Sequence, residues 1–549
     1  MKWKHVKGWM GLMLAAMMAV TGCGSSNTTE TPSDSASSEA AVQTESSSEA
    51  VTEETEEAKL DYVKLKGITI GDPNEATDIW LEKTNELLLR DLNCELEIEY
   101  VSWSGWTDKY PLVFASGEDF DFIYTSNWAF YSDQAMKGAF YELTEEDLQT
   151  YMPKTWEAVG DRWNQTRITG KIYMIPQSSN DVTDDNTCFG VRGDLMKEAG
   201  LEDITSPEDM EAYLDHVVAN HPELNVLNIT SQSYGRWGVY MAQNMLGDEN
   251  EYPIVSDEYG IGIANGFKTF DTPAIWDCTD PSNLKLVDEE TADAYNIKLF
   301  NKSAEMRKKG YWSSDCLSST TSIEEYYQAG NGAAVFRQLG NVSGFNNQLL
   351  KVAPDSDPRI VRWVDCPIRT VPVTNNGVGI HATTKYPERV MMVLEKLGYD
   401  QEYFDLLKYG IEGIHYTLDL DGKITRITEP EYAWNAPLSM GFSTTCSREE
   451  TYEEVTNSIA DYVELKEWAK ENSITPKLAA FNFDNSSVAT EFASVTAVNS
   501  QYVPILNTGM ADDVEATYYE WKAALEGAGM DTVVEEYVRQ AQEYLNSLK

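Results

Sequence analysis

The chain has 549 residues and a formal net charge of −48, set by 90 acidic against 42 basic side chains. So large a negative excess, with no basic cluster to reverse it locally, excludes nucleic acid and anionic lipid as electrostatic partners. With five histidines in all and no Gly-x-Ser-x-Gly, His-Glu-x-x-His or Walker loop, no catalytic residue, metal or cofactor is expected.

Residues 1–22 read as a secretory signal peptide. Lys2, Lys4 and Lys7 form a basic head, and an uncharged apolar stretch follows over 9–20. That stretch is about a dozen residues, short of the ~20 that a helix needs to cross a bilayer. Val20-Thr21-Gly22-Cys23 resembles a bacterial lipobox, which implies cleavage before Cys23 and a lipid on its sulfur. Two or more acyl chains anchor a protein stably where one does not. The body is thereby expected on the extracytoplasmic face of the cell membrane. Residues 23–58 continue in Ser, Thr, Glu and Ala, without Lys, Arg or aromatics. Such a segment buries too little apolar surface to offset its ordering entropy, and reads as a disordered tether.

From 59 onward the length exceeds one ordinary core, so at least two lobes are expected. Strands are expected over 63–71, 95–101 and 120–124, with helices over 78–92 and 110–116 between them. This spacing indicates βαβ units and a mostly parallel sheet. A second such unit is expected later. It comprises helices over 194–199 and 207–220, the latter capped at Thr205-Ser206, then a strand over 225–230 and helices over 288–309 and 323–329. Strands over 332–336 and 377–382, helices over 387–397 and 401–409, and two final helices over 512–525 and 530–548 complete the chain. Asp419-Leu420-Asp421-Gly422 opens like a calcium loop but lacks the spacing and distant Glu of one, and reads as a β-turn. Beyond Cys23, six widely spaced cysteines with no CxxC pair fit either disulfides or buried thiols. The 15 Trp and 30 Tyr fit a large core and, in their surplus, a binding surface.

Several short motifs occur in a fixed order. Phe114-Ala115-Ser116-Gly117-Glu118 precedes Phe120-Asp121-Phe122-Ile123. Gly170-Lys171-Ile172-Tyr173-Met174-Ile175-Pro176 and Asn331-Gly332-Ala333-Ala334-Val335-Phe336 follow. Tyr409-Gly410-Ile411-Glu412-Gly413-Ile414-His415-Tyr416 and the last helix, from Gly529-Met530-Asp531, close the series. With these motifs the chain, over about 59–549, resembles the extracellular solute-binding lipoproteins of ABC transporters. The likeness is to the large-lipoprotein branch of the sugar-binding group, which ends in a domain of unknown function. The resemblance implies a two-lobed α/β fold of the periplasmic-binding-protein type (type II), with a hinge and an interlobe cleft. Lobe 1 would hold 59–182 and about 375–420, and lobe 2 would hold 183–374 and about 421–549. It also implies a monomer that captures a solute, foremost an oligosaccharide, and hands it to ABC permease subunits without chemistry. A peptide or other organic solute in the same architecture is the alternative, and a secreted glycoside-active enzyme a more distant one.

Ligands of open α/β sheets sit outside the carboxyl ends of the strands. Trp103 and Trp106 follow the second strand, and Trp128 and Tyr131 follow the third. Their flat faces suit the apolar C–H faces of pyranoses. Tyr234 and Trp237 follow the strand expected at 225–230. Arg337 follows the strand ending at Phe336, in a loop that lacks the Trp frequent in the wider family. Glu412 and Tyr416 lie in the most family-like cluster, beside a structural His415, and Trp434 lies near a later crossover.

Overall fold

In a computed structural model the described residues are 60–547, apart from 104, 118, 177–186, 228, 232, 234–275, 278–284, 287–288, 320, 364–367, 370–371, 429, 433, 435, 437–445, 475–480 and 482. The described residues belong to one compact unit, 60–549. The expected signal peptide, Cys23, the tether, Tyr234 and Trp237 all lie outside the described residues.

The first lobe begins as the sequence spacing predicts. Strand β1, Val63–Ile70, pairs in parallel with β2, Cys94–Val101, from Val63 opposite Cys94 to Ile70 opposite Val101. Helix α1, Glu75–Leu92, joins them. It starts three residues before the apolar periodicity does, because Asn74 caps it: the Asn74 carboxamide accepts from Thr77 N–H and the Thr77 hydroxyl accepts from Asn74 N–H, both at 3.2 Å. Helix α2, Trp106–Ser116, ends at Gly117 with φ 68° and leads to strand β3, Phe122–Thr125, parallel to β1 on its other side. Gly67 of β1 is required by packing, since a Cβ there would come within 2.3 Å of the Phe122 ring. Two returning strands complete the sheet: Gly377–Ile380 runs antiparallel to β3, and Ile175–Pro176 runs antiparallel to Gly377–Ile380.

The second sheet differs from expectation. Thr187–Val191 is its centre, flanked on both sides by antiparallel strands, Ala334–Gln338 and Arg359–Val361. Among the described residues the strand expected over 225–230 is reduced to one bridge, Asn225 to Gly332, and no second parallel βαβ unit is formed by them. An apolar run alone does not tell a strand from a buried loop, and Val226, Leu227 and Ile229 are buried without a ladder.

The apolar cores show which segments belong together. One is drawn from β1, α1, β2 and β3, with Val378 to Leu407. The other is drawn from 189–361 and 488–545, with Tyr518, Trp521 and Leu545 of the final helices inside it. The chain leaves the first core after Pro176 and is in the second by Thr187, and it leaves the second after Val361 and is back at the first by Val373. A third passage lies later than the boundary expected near 420. The small sheet Tyr416–Leu418, Ile424–Arg426 and Glu450–Tyr452 packs on helix Gln401–Lys408, where the Arg448 guanidinium grips Asp405 at 2.7–2.9 Å. The next helix, Asn457–Glu471, docks instead on the second core: Asp461 accepts from Arg359 Nε at 2.7 Å, Nη2 at 3.0 Å and Ile360 N–H at 2.9 Å. The passage therefore falls at about 453–456. Cys94, Cys188 and Cys316 are buried free thiols, and Cys446 is a half-buried free one.

Candidate ligand-binding site

Because β2 and β3 both run parallel to β1, their carboxyl ends meet at one edge of the sheet. The loop after β2 supplies Trp103 and, as the first residue of α2, Trp106. The loop after β3 supplies Trp128. The Trp103 and Trp128 rings lie 6.0 Å apart at an interplanar angle of 26°, and Trp106 meets Trp128 edge-on at 5.3 Å and 85°. Trp106 also contacts Phe130 at 5.9 Å, and Tyr124 contacts Trp128 at 5.9 Å. Despite this packing, Trp103 remains 47% and Trp128 39% exposed. Clustered indoles held open to water mark a binding surface more than a folding need.

The backbone under Trp128 is tightly specified. The Ser126 hydroxyl accepts from Trp128 N–H at 3.1 Å and Ala129 N–H at 3.0 Å. Phe130 takes φ 63°, the left-handed region that a bulky residue adopts at a cost and that clusters at functional sites. The Trp128 indole N–H donates to the Asn375 carbonyl at 2.9 Å, and Asn127 N–H donates to the Thr374 carbonyl at 2.8 Å. The Tyr124 hydroxyl donates to Asn376 Oδ1 at 2.7 Å. Thr374, Asn375 and Asn376 lie just past the second passage, so the platform is pinned to the strand of chain that arrives from the other lobe.

The other expected residues fall elsewhere. Tyr131 is wholly buried beneath the platform: its hydroxyl donates to the Thr166 carbonyl and its ring stacks on Phe140. It starts helix Tyr131–Met136 facing inward, and a ligand contact there is corrected to a core role. Tyr416 is likewise buried, with Phe404, Tyr409 and Ile424. Trp434 is half-buried against the first-lobe core and the His415 ring, 5.2 Å away, and is not among the rings in contact with the platform. His415 accepts from Ile411 N–H on Nδ1 at 2.9 Å and so donates from Nε2 to the Tyr432 carbonyl at 3.0 Å, a structural link as expected. Arg337 lies opposite Cys188 and forms an ion pair with the buried Glu324 at 2.9 Å, which fixes its guanidinium within lobe 2. Glu412 is exposed at a turn closed by Gly413 N–H on the Tyr416 carbonyl.

The sequence reading missed Trp363, whose ring stacks on Phe189 at 5.2 Å and 13° where the chain leaves the second sheet. Arg359-Ile360-Val361-Arg362-Trp363 does not alternate strictly, so no local period marks the ring. A concavity of about 640 Å³ lies away from the platform, over the start of helix Glu289–Lys308, and is lined by Glu289, Glu290, Asp293 and Tyr519 among others. It offers one exposed ring, Tyr519, where the platform offers paired indoles, so the platform is the stronger site for a stacking ligand.

Two α/β lobes joined by three passages, with an aromatic platform at the strand ends beside one of them, make the two-lobed architecture that the sequence resemblance implies. The comparisons agree. Residues 477–546 match the model of a domain of unknown function, DUF3502. The chain is 23% identical over 500 residues to a carbohydrate ABC transporter substrate-binding protein of Streptococcus pneumoniae serotype 4, covering 88% of this chain and 91% of that protein. The N-glycan transport solute-binding protein NgtS of Streptococcus pneumoniae, solved with Man1GlcNAc, superposes with a TM-score of 0.64 at 19% identity over 88% of this chain and 99% of that one. An HMO-binding, ABC-transporter-associated solute-binding protein from Bifidobacterium longum infantis gives a TM-score of 0.56 at 14% identity, covering 88% and 99%. The resemblance to ABC-transporter solute-binding proteins, and the two-lobed α/β fold, are borne out.

Proposed function

We propose that this protein is the solute-capturing component of an ABC importer, that its ligand is an oligosaccharide, and that it delivers this ligand to membrane permease subunits. The observation that carries the ligand class is the open Trp103–Trp128 pair. Two near-parallel indoles present an apolar surface to successive pyranose C–H faces, while sugar hydroxyls reach polar groups and water around the rim. The carbohydrate named for the relative supports the same reading. Trp128 is bonded to the passage at Asn375, so a ligand resting on it also bears on the segment about which the lobes move. Capture followed by closure is the mechanism, and no bond of the ligand is made or broken.

The test is a thermal-shift screen of oligosaccharides, peptides and small solutes, because a ligand that binds only the native state raises the melting temperature with occupancy. With the sugar so identified, Trp103→Ala and Trp128→Ala are each expected to weaken binding about tenfold or more, as central aromatic anchors do. Trp103 is nearly half exposed, so the melting temperature of free Trp103→Ala should hardly move, whereas Trp128→Ala also loses the bond to Asn375 and should lower it. Unchanged affinity in both variants would remove the platform from the site. A shift only with peptides would keep the transport role and replace the ligand, and consumption of the sugar would make the protein an enzyme.

The anchor is proposed on the sequence of residues 1–23 alone. Cys23→Ala is expected to abolish labelling by a radioactive fatty acid and to shift the protein from the membrane fraction. Undiminished labelling of that variant would place the lipid elsewhere.

A further inference from the structure

The clustering of Glu198, His216 and His221 has no part in the reading above, and no metal is expected from the sequence. We infer that these three side chains form a site for one divalent transition-metal cation of the zinc type. Two of the five histidines of the chain meet here, although five positions separate them in sequence. Helix Gly193–Glu198 ends on Glu198. Helix Pro207–Asn220 carries His216 in its last turn and is closed by His221.

The geometry suits such an ion. Glu198 Oε2 lies 2.8 Å from His221 Nε2 and 3.9 Å from His216 Nε2, and all three ligand atoms lie within 4.8 Å of one another. Donors bonded to zinc at about 2.0–2.1 Å in a tetrahedron stand roughly 3.3–3.5 Å apart, so modest rotamer adjustment satisfies all three, and water completes the set. Glu223 Oε1 lies 3.4 Å from His221 Nδ1. A carboxylate holding Nδ1–H turns the Nε2 lone pair toward the site, the arrangement that orients metal-bound histidines.

A second observation is independent of the cluster's shape. His216 Nε2 is sealed from solvent and has no hydrogen-bond partner. A buried polar atom left unsatisfied is costly, and a cation between it and Glu198 removes the cost. The His216 Nδ1 faces Asn220 Nδ2 at 3.2 Å, and that amide also donates to the His216 carbonyl at 2.9 Å. Cation binding on Nε2 puts the imidazole proton on Nδ1, and the Asn220 amide can accept it only by giving up its own bond to the His216 carbonyl. Two helix C-termini, each carrying partial negative charge, converge on the position, and the chain's net charge of −48 favours a cation generally.

The probes are Co²⁺ and Zn²⁺ alone, titrated into the full chain after chelator treatment. Saturation of one site, with a visible cobalt absorption that Zn²⁺ displaces, is expected. Glu198→Gln, at an exposed position, and His221→Ala should each lose that absorption and weaken binding by about a hundredfold, while circular dichroism stays unchanged. Asn220→Asp, which supplies a fixed acceptor to Nδ1–H, should tighten it. Absence of a saturable signal, or a signal undiminished in both Glu198→Gln and His221→Ala, would overturn the site.

Discussion

At the scale of single residues, what decides a role is which side of the sheet edge a ring faces, and sequence position fixes that only near a strand end. Trp103, Trp106 and Trp128 follow strands by a few residues, and their convergence was legible from the βαβ spacing. Tyr131 and Tyr416 carry the same kind of side chain but are buried within a helix and a small sheet, and Trp434 is half-buried against the first-lobe core. No local pattern distinguishes the two outcomes. His415 was read as structural, and its bonds make a prediction. Its Nδ1 must stay unprotonated to accept from Ile411 N–H. Burial pushes its pKa below the usual histidine value, outweighing the opposing effect of the Tyr432 carbonyl. The folded state therefore binds fewer protons than the unfolded chain just below about pH 6.5. The stability that neutral His415 contributes is present above that pH and is lost as pH falls through it. Melting curves taken across that range should show a decline in the wild type that is shallower in His415→Gln. Parallel curves for the two proteins would mean that His415 is not a source of the pH dependence.

At the scale of elements, the first lobe was legible because local signals agree with the tertiary result: alternation, a capping Asn74 and a terminating Gly117 all mark the same boundaries. The second lobe was less so. Its three strands pair antiparallel over long sequence separations, and nothing local sets their order. Helix Ala489–Asn507 was missed altogether, because its run of Val, Thr, Ser and Ala, with Pro504 inside, shows weak helical periodicity. It forms through packing of Val495, Val503 and Leu506 into the second core. Helix Asn457–Glu471 is likewise held by tertiary contacts. Asp461 satisfies two guanidinium nitrogens of Arg359 and one backbone amide, in a setting that is mostly closed to water. Removing it strands three donors at once. Asp461→Ala should destabilise the fold by about 2–3 kcal/mol, at the low end for a buried pair because both groups keep some solvent. Asp461→Asn, which still accepts once or twice, should cost less. Equal losses in denaturant melts of the two variants would show that packing at 461, not the charge-assisted bonds, holds the helix.

At the scale of the whole molecule, three passages between two cores leave few degrees of freedom beyond opening and closing, since each additional strand of chain restrains twisting. The platform lies on the first lobe, but its central indole is bonded to the second passage. Ligand contact and hinge geometry are therefore linked most directly through Trp128 Nε1–H to the Asn375 carbonyl, the bond made by the exposed ring itself, beside those of Asn127 and Tyr124 to Thr374 and Asn376. A ligand shifts the opening equilibrium only by binding one state better than the other. An oligosaccharide on exposed indoles gains most when the second lobe covers its free face, because the apolar area removed from water then roughly doubles. Small-angle X-ray scattering should accordingly show a smaller radius of gyration when the identified sugar is saturating. Trp128→Phe keeps a stacking ring and loses the indole N–H. It should still bind the sugar, more weakly, and should compact less at saturation than Trp103→Phe, which severs no bond to the passage. If both variants compact fully, closure is driven by contacts of the second lobe with the ligand, and the Trp128 bond only positions the ring. If the wild type does not compact at all, capture does not require closure, and the three passages serve to hold one fixed cleft.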